Sequence, residues 1–264
     1  MSGLPQELID HIIDHVHDRK NLKACSLVCG QWSLRSRKHL FVQVEFTSIG
    51  GLQCRCTRIR SEPSGPSSLV EDLTLLEYNS SLTIPAPTQL GSSFFTYAVS
   101  PLQSFSTLRT LEVQRWRMTA DCVSSMLHSF GSSLENVTRL ILRDIHVHPS
   151  TLAMFVSHFP CLDISASNLS GTLDATDDSL RGVCADDRVP TYPRGWFGAS
   201  DILKYQVPKG VFEAIILLKP RFRRVILGYV SYIGWRDYWP LIEACAESLE
   251  ELRIFADTTG EKSS

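Results

Sequence analysis

The residues of this chain whose types and spacing could do chemistry are a few histidines, the cysteines and one run of aspartates. His11 and His15 stand four apart, so a helix there would bring two imidazoles to one side, where they could meet one metal ion. They border an apolar stripe, and a polar flank of that stripe is the better account. His146 and His148 alternate as strand-end residues do, which would place both rings on one face. Asp174, Asp177, Asp178, Asp186 and Asp187 could imitate a cation loop, but they lack the fixed spacing of a calcium loop, and a solvated insertion explains them. Eight cysteines fall at positions 25, 29, 54, 56, 122, 161, 184 and 245. None forms a C-x-x-C pair, and Cys54-Arg-Cys56 is too little for zinc by itself. Phosphate-binding G-x-x-x-x-G-K-[ST] and G-x-G-x-x-G loops are absent, as are G-x-S-x-G and H-E-x-x-H. The expectation is a non-enzyme with no catalytic, cofactor-binding or metal-binding residues.

The elements that would carry any other function must be read from pattern. Hydrophobic residues make up 43% of the 264 and charged residues 20%, which is ordinary globular usage. A net charge of −2 gives no reason to expect nucleic acid. Residues 1 to 20 hold charges, three histidines and a proline rather than an apolar signal region. No run reaches the roughly 20 apolar residues of a membrane helix. The expectation is a soluble protein of the cytoplasm, the nucleus or both, with no membrane partner and with cysteines kept as thiols.

Leu8, Ile9, Ile12, Ile13 and Val16 gather on one stripe of a helix. Pro5 suits a first helical turn and Glu7 complements the positive end of the dipole. Asn21 is a good N-cap for a second helix, Leu22 to Val28. A third amphipathic stretch runs from Cys29 to about Leu40, with Trp32 and Leu34 as its large apolar residues. The order Leu4-Pro5-x-Glu7-Leu8-Ile9-x-x-Ile12-Ile13, then Leu22-x-x-Cys25-Ser26-Leu27-Val28-Cys29-x-x-Trp32, resembles the F-box family over roughly residues 3 to 42. The resemblance implies docking to a Skp adaptor and, through it, to a cullin. The contact residues would be Leu4, Pro5, Leu8, Ile9, Ile12, Ile13, Leu22, Leu27 and Val28, with Cys29 and Trp32 closing the module. A different reading of the same residues is a helical cap on the domain behind them.

Beyond a joint at 43 to 68, a loose apolar-x-x-apolar-x-apolar template recurs. It appears at Val70-Leu73-Leu75, Leu108-Leu111-Val113, Val137-Leu140-Leu142, Phe159-Leu162-Ile164, Phe222-Val225-Leu227 and Leu249-Leu252-Ile254. Each ends in strand-like alternation. Helical stripes lie between: Phe94 to Leu102, Val123 to Phe130, Leu152 to Phe159, Val211 to Ile216, and Tyr238 to Cys245. Strand, helix, strand in that order implies parallel strands with crossover helices. The steps of 29 residues from Val113 to Leu142 and 22 from Leu142 to Ile164 are near the leucine-rich-repeat period. The 63-residue step from Ile164 to Leu227 must hold a degenerate repeat or an insertion.

The expected fold class is therefore α+β: a three-helix F-box at 1–45, a linker at 46–68, and an α/β leucine-rich-repeat-like solenoid with parallel strands at 69–255. Residues 170–200 are the expected insertion and 256–264 a polar tail. The F-box resemblance implies the substrate-recognition subunit of a Skp–cullin–F-box ubiquitin ligase, with the repeat region holding a protein substrate. The aromatic cluster Tyr229, Tyr232, Trp235, Tyr238 and Trp239 is the candidate substrate surface, because Trp and Tyr are enriched at binding hot spots. The alternative is a leucine-rich-repeat interaction scaffold, outside any ligase, whose F-box-like helices only cap its N-terminus.

Overall fold

A computed structural model describes residues 4–46, 66–76, 105–159, 163–167, 196–199, 215–216, 221–230 and 235–256. Three helices come first: α1 (Gln6–Asp14), α2 (Arg19–Cys25) and α3 (Gly30–Phe41). Pro5 sits one residue earlier than expected, as the extended N-cap of α1, and its carbonyl accepts from the N–H groups of Leu8 and Ile9. The cap of α2 also differs from the sequence reading. Asp18 takes that place and accepts the backbone N–H of Asn21 at 3.1 Å, so the helix starts before Asn21. A carboxylate there also complements the helix dipole.

Only Val42 separates α3 from the first strand, β1 (Gln43–Phe46). These four residues, read above as the start of a joint, alternate exposed and buried as a strand does. The strands that follow are β2 (Asp72–Leu76), β3 (Thr110–Gln114), β4 (Arg117–Met118), β5 (Arg139–Arg143), β6 (His146–Val147), β7 (Asp163–Ser167), β8 (Trp196–Ala199), β9 (Arg224–Val230) and β10 (Glu251–Ala256). Eight of them make one sheet in the order β1-β2-β3-β5-β7-β8-β9-β10, all parallel; β4 and β6 pair separately, also parallel. Among the described residues the protein thus mixes helix with parallel sheet. The strand β8 stands inside the stretch read as an insertion, and it fills the place between β7 and β9. The expected helix at 94 to 102, most of the stretch at 211 to 216, the aspartate run and Cys54-Arg-Cys56 lie outside the described residues.

All six apolar triplets end on strands of this sheet, because alternation puts every second side chain on one face. Leu73, Leu111, Leu140 and Val225 occupy one register position, and Leu75, Val113, Leu142 and Leu227 the next but one. Each of these eight is at most 1% exposed. Burying a Leu or Val side chain stabilises by about 1.5–3 kcal/mol, so these rows are a main part of the core. The helices α4 (Ala120–Phe130), α5 (Pro149–Val156) and α6 (Trp235–Cys245) cover that face. Val123, Met126 and Phe130 of α4 are buried, as are Leu152, Phe155 and Val156 of α5, and Tyr238, Leu241, Ile242 and Cys245 of α6.

The pairing of Thr110 with Arg139, and of Arg117 with His146, sets two consecutive units at an offset of 29 residues, the same as that of Gln43 and Asp72 in β1 and β2. The correspondence extends past the strands. Arg115 and Asp144 both have positive φ, 56° and 54°; Trp116 and Ile145 are both buried; Thr119 and His148 both cap the next helix. His148 is therefore not a strand-end residue as expected. Its Nδ1 accepts the backbone N–H of Ser150, which gives α5 its start. The left-handed turn at Arg115 strains a residue with a Cβ. Arg115→Gly is expected to raise stability by about 1 kcal/mol in urea unfolding, provided the weak pairing to Asp144 at 4.0 Å adds little.

Candidate functional site

The five apolar residues from Leu8 to Val16, four of them on α1, do not form one buried stripe. Ile9 and Ile13 point inward and, with Leu22 of α2 and Leu40 of α3, make a small core separate from that of the sheet. Val16, Trp32 and Phe41 pack around it. Leu8 and Ile12, one residue before each inward isoleucine, are left outside, with Ile12 44% exposed against 0% for Ile13. A row of adjacent pairs spans more of the helix circumference than two short helices can cover.

The residues expected to meet a Skp adaptor therefore fall into two groups. Leu4, Pro5, Leu8, Ile12, Leu27, Val28 and Cys29 are exposed. Ile9, Ile13 and Leu22 are buried inside the module, and Trp32 is half-buried against them; these four hold the module together. Leu27 and Val28 lie in the turn between α2 and α3, where Leu27 reaches 85% exposure. This turn is closed by backbone bonds from Leu27 to Ala24 and from Val28 to Cys25, and Ser26 Oγ donates to the Lys23 carbonyl at 2.7 Å. Leu34 of α3, read above as part of an amphipathic stripe, is instead 75% exposed, opposite the inward-facing Ser36 and Leu40. Six of the ten exposed large hydrophobic residues among the described residues belong to this module. These six exposed apolar side chains make the module the candidate interaction face.

One ion cluster locks the helices behind that face. Arg35 of α3 donates twice to Asp14 at the end of α1, both bonds 2.6 Å, and His39 Nε2 lies 2.7 Å from the same carboxylate. Arg19 of α2 donates to the Leu40 carbonyl at 3.3 Å. The Arg35 hydrogen bonds, followed by that of His39, hold the Asp14 carboxyl well below the usual carboxylate range. A lowered folded-state value means that ionised Asp14 stabilises the module above its unfolded value of about 4, and that this contribution disappears as pH falls toward the folded value. Thermal unfolding of wild type and Asp14→Asn is therefore expected to show a higher melting temperature for wild type at pH 5 and a gap that narrows steadily on acidification to pH 2.

His11 and His15 do come together, with ring centroids 4.5 Å apart and edge-on. His15 Nδ1 is engaged with the His11 carbonyl at 2.8 Å, as a helix C-terminal contact. Among the described residues no three His, Cys, Asp or Glu side chains converge as a metal site would require. Cys25, Cys29, Cys122 and Cys245 are in no disulfide, and burial pushes the Cys245 thiol up, which suits a core hydrophobe.

The aromatic cluster is divided. Tyr238 is buried beneath the sheet and Trp239 is exposed on the outer side of α6. The side chains of Tyr229 and Trp235, and the whole of Tyr232, lie outside the described residues. A surface that the sequence did not single out is the face of the sheet away from the core. It carries Gln43, Glu45, Asp72, Thr74, Glu112, Gln114, Arg139 and Arg143, tied across strands by Gln43 to Asp72 at 3.2 Å and Arg143 to Glu112 at 2.8 Å. The signal was in the polar residues interleaved with the triplets of β2 and β3 and in the arginines that flank Leu140-Ile141-Leu142.

No protein-family model matches the chain, and no curated protein matches it. No helix among the described residues is long and apolar enough to cross a membrane.

Proposed function

We propose that this chain is the substrate-recognition subunit of a Skp–cullin–F-box ubiquitin ligase. The three-helix module is the F-box, and Leu4, Pro5, Leu8, Ile12, Leu27, Val28 and Cys29 form the surface that enters the Skp adaptor. The strand–helix array is a leucine-rich-repeat-like solenoid that holds a protein substrate near the ubiquitin-charged enzyme. The work of the chain is proximity, raising the effective concentration of substrate lysines without bond chemistry of its own.

The observation that carries this reading is the outward row Leu4, Leu8 and Ile12. A helical cap would lay its apolar row on the first strand of the sheet. Here the row faces away from the module's own core and is exposed. The repeat reading rests on the 29-residue offset, which reproduces strand, left-handed turn, short strand and capped helix in two successive units. In the repeat template L-x-x-L-x-L-x-x-N/C-x-L, the buried Trp116 and Ile145 take the Asn/Cys place, and Met118 and Val147 the last.

Capture of the chain by a purified Skp adaptor tests the reading. Wild type is expected to be captured, and the Leu8→Asp, Ile12→Asp double variant to be lost with unchanged circular dichroism. If the helices serve only as a cap, wild type is not captured and the double variant loses stability instead.

A further inference from the structure

Among the described residues, the last strand of the sheet has one unpaired edge beside an exposed apolar row. There β10 pairs with β9 alone. Leu252 and Ile254 stand in register with Val225 and Leu227, which are buried, yet they are 40% and 46% exposed; Phe255, on the other face, is 53% exposed. The Glu251 N–H donates to the Arg223 carbonyl at 2.9 Å. Glu251 and Arg253 therefore turn their backbone groups toward β9, and Leu252 and Ile254 turn theirs outward. Outward N–H and C=O groups beside exposed apolar side chains are a template for one more strand.

We propose that this strand is β10 of a second copy of the chain, running antiparallel about a two-fold axis through Leu252. The charges choose both the occupant and the axis. In a two-fold antiparallel pair, opposed residues share a face, so the axis must pass through a residue rather than between two. An axis through Leu252 sets Glu251 opposite Arg253 of the second copy, and Arg253 opposite Glu251 of the second copy. An axis through Arg253 would oppose two arginines, and one through Ile254 would set Arg253 against Phe255. Arg224 already pairs with Glu251 across β9 and β10, and Arg253 of the same strand donates to Glu251 at 2.5 Å, so Glu251 lies between two arginines of its own chain. The new row would read Arg224, Glu251, then Arg253 of the second copy, alternating in sign. Opposite charges across strands favour a register and like charges oppose it. The same axis lays Leu252 against its counterpart, and one isologous contact closes both open edges. An interface one strand wide is at the low end of specific contacts, so its dissociation constant is expected on the order of 10 µM.

Sedimentation equilibrium of the full chain across the micromolar range tests this. A monomer–dimer equilibrium is expected. Glu251→Arg and Arg253→Glu are each expected to weaken it at least about tenfold, because each variant alone opposes like charges twice. Mixed in equal amounts, the two variants should associate with each other, since unlike charges then meet at both crossings. Leu8→Asp with Ile12→Asp should leave the equilibrium unchanged, which separates this contact from association through the helical module. A wild-type chain that stays monomeric, a dimer indifferent to either charge reversal, or variants that fail to associate when mixed would each overturn the proposal.

Discussion

Placing aspartate at both Leu8 and Ile12 is expected to weaken binding to a Skp adaptor by at least about 100-fold while the chain stays folded. Both side chains are exposed on α1, so in the free chain the new carboxylates meet water and cost the fold little. In the complex the same positions would be covered by apolar surface. The transfer gain of two aliphatic side chains would be lost, and two carboxylates would be desolvated without partners. Ile13→Asp is the informative contrast. Ile13 is wholly buried in the small core with Ile9, Leu22 and Leu40, so a carboxylate there has no partner and no water. That variant is expected to unfold the module, with a loss of several kcal/mol. Circular dichroism with a binding titration separates the two outcomes: binding lost with the fold kept for Leu8 and Ile12, binding and helicity lost together for Ile13.

Phe155→Ala is expected to cost about 4 kcal/mol in urea unfolding. Phe155 is fully buried on α5 and meets Phe159 edge-on, with ring centroids 5.1 Å apart and planes at 88°. Truncation removes the transfer free energy of the ring, leaves a cavity between helix and sheet, and forfeits an aromatic contact of about 1 kcal/mol. Met154, next to it, packs only partly against the core. Met154→Ala is expected to cost well under half as much. Similar losses at both positions would mean that α5 does not bury the face described here.

The sheet was legible because its signal is local. Leu73 and Leu75, or Leu111 and Val113, alternate with polar residues, and a period of two admits one reading. The stripes of α4, α5 and α6 were legible for the same reason, at a period of 3.6. The short β1 was harder, since four residues beside a Gly- and Ser-rich stretch give little alternation to count. The 29-residue step from Val113 to Leu142 was readable, but Trp116 and Ile145 stand where the leucine-rich-repeat template has Asn or Cys, so the spacing alone pointed to the unit. The match of Trp116 with Ile145, and of Met118 with Val147, was nevertheless present in the spacing. In the helical module the apolar residues were legible but their division was not. Periodicity places Leu8, Ile9, Ile12 and Ile13 on one side of a helix; which of them the module can cover depends on how α1 lies on α3. The Asp14–Arg35–His39 cluster that sets this joins residues 21 and 25 apart, beyond the reach of any local pattern.

The most direct test of the ligase reading is calorimetric titration of the wild-type chain with a purified Skp adaptor. The expected result is saturable one-to-one binding with a negative heat-capacity change, the mark of apolar burial by Leu4, Leu8, Ile12, Leu27 and Val28. A folded chain that gives no saturable binding would contradict the account and leave the interaction scaffold in its place.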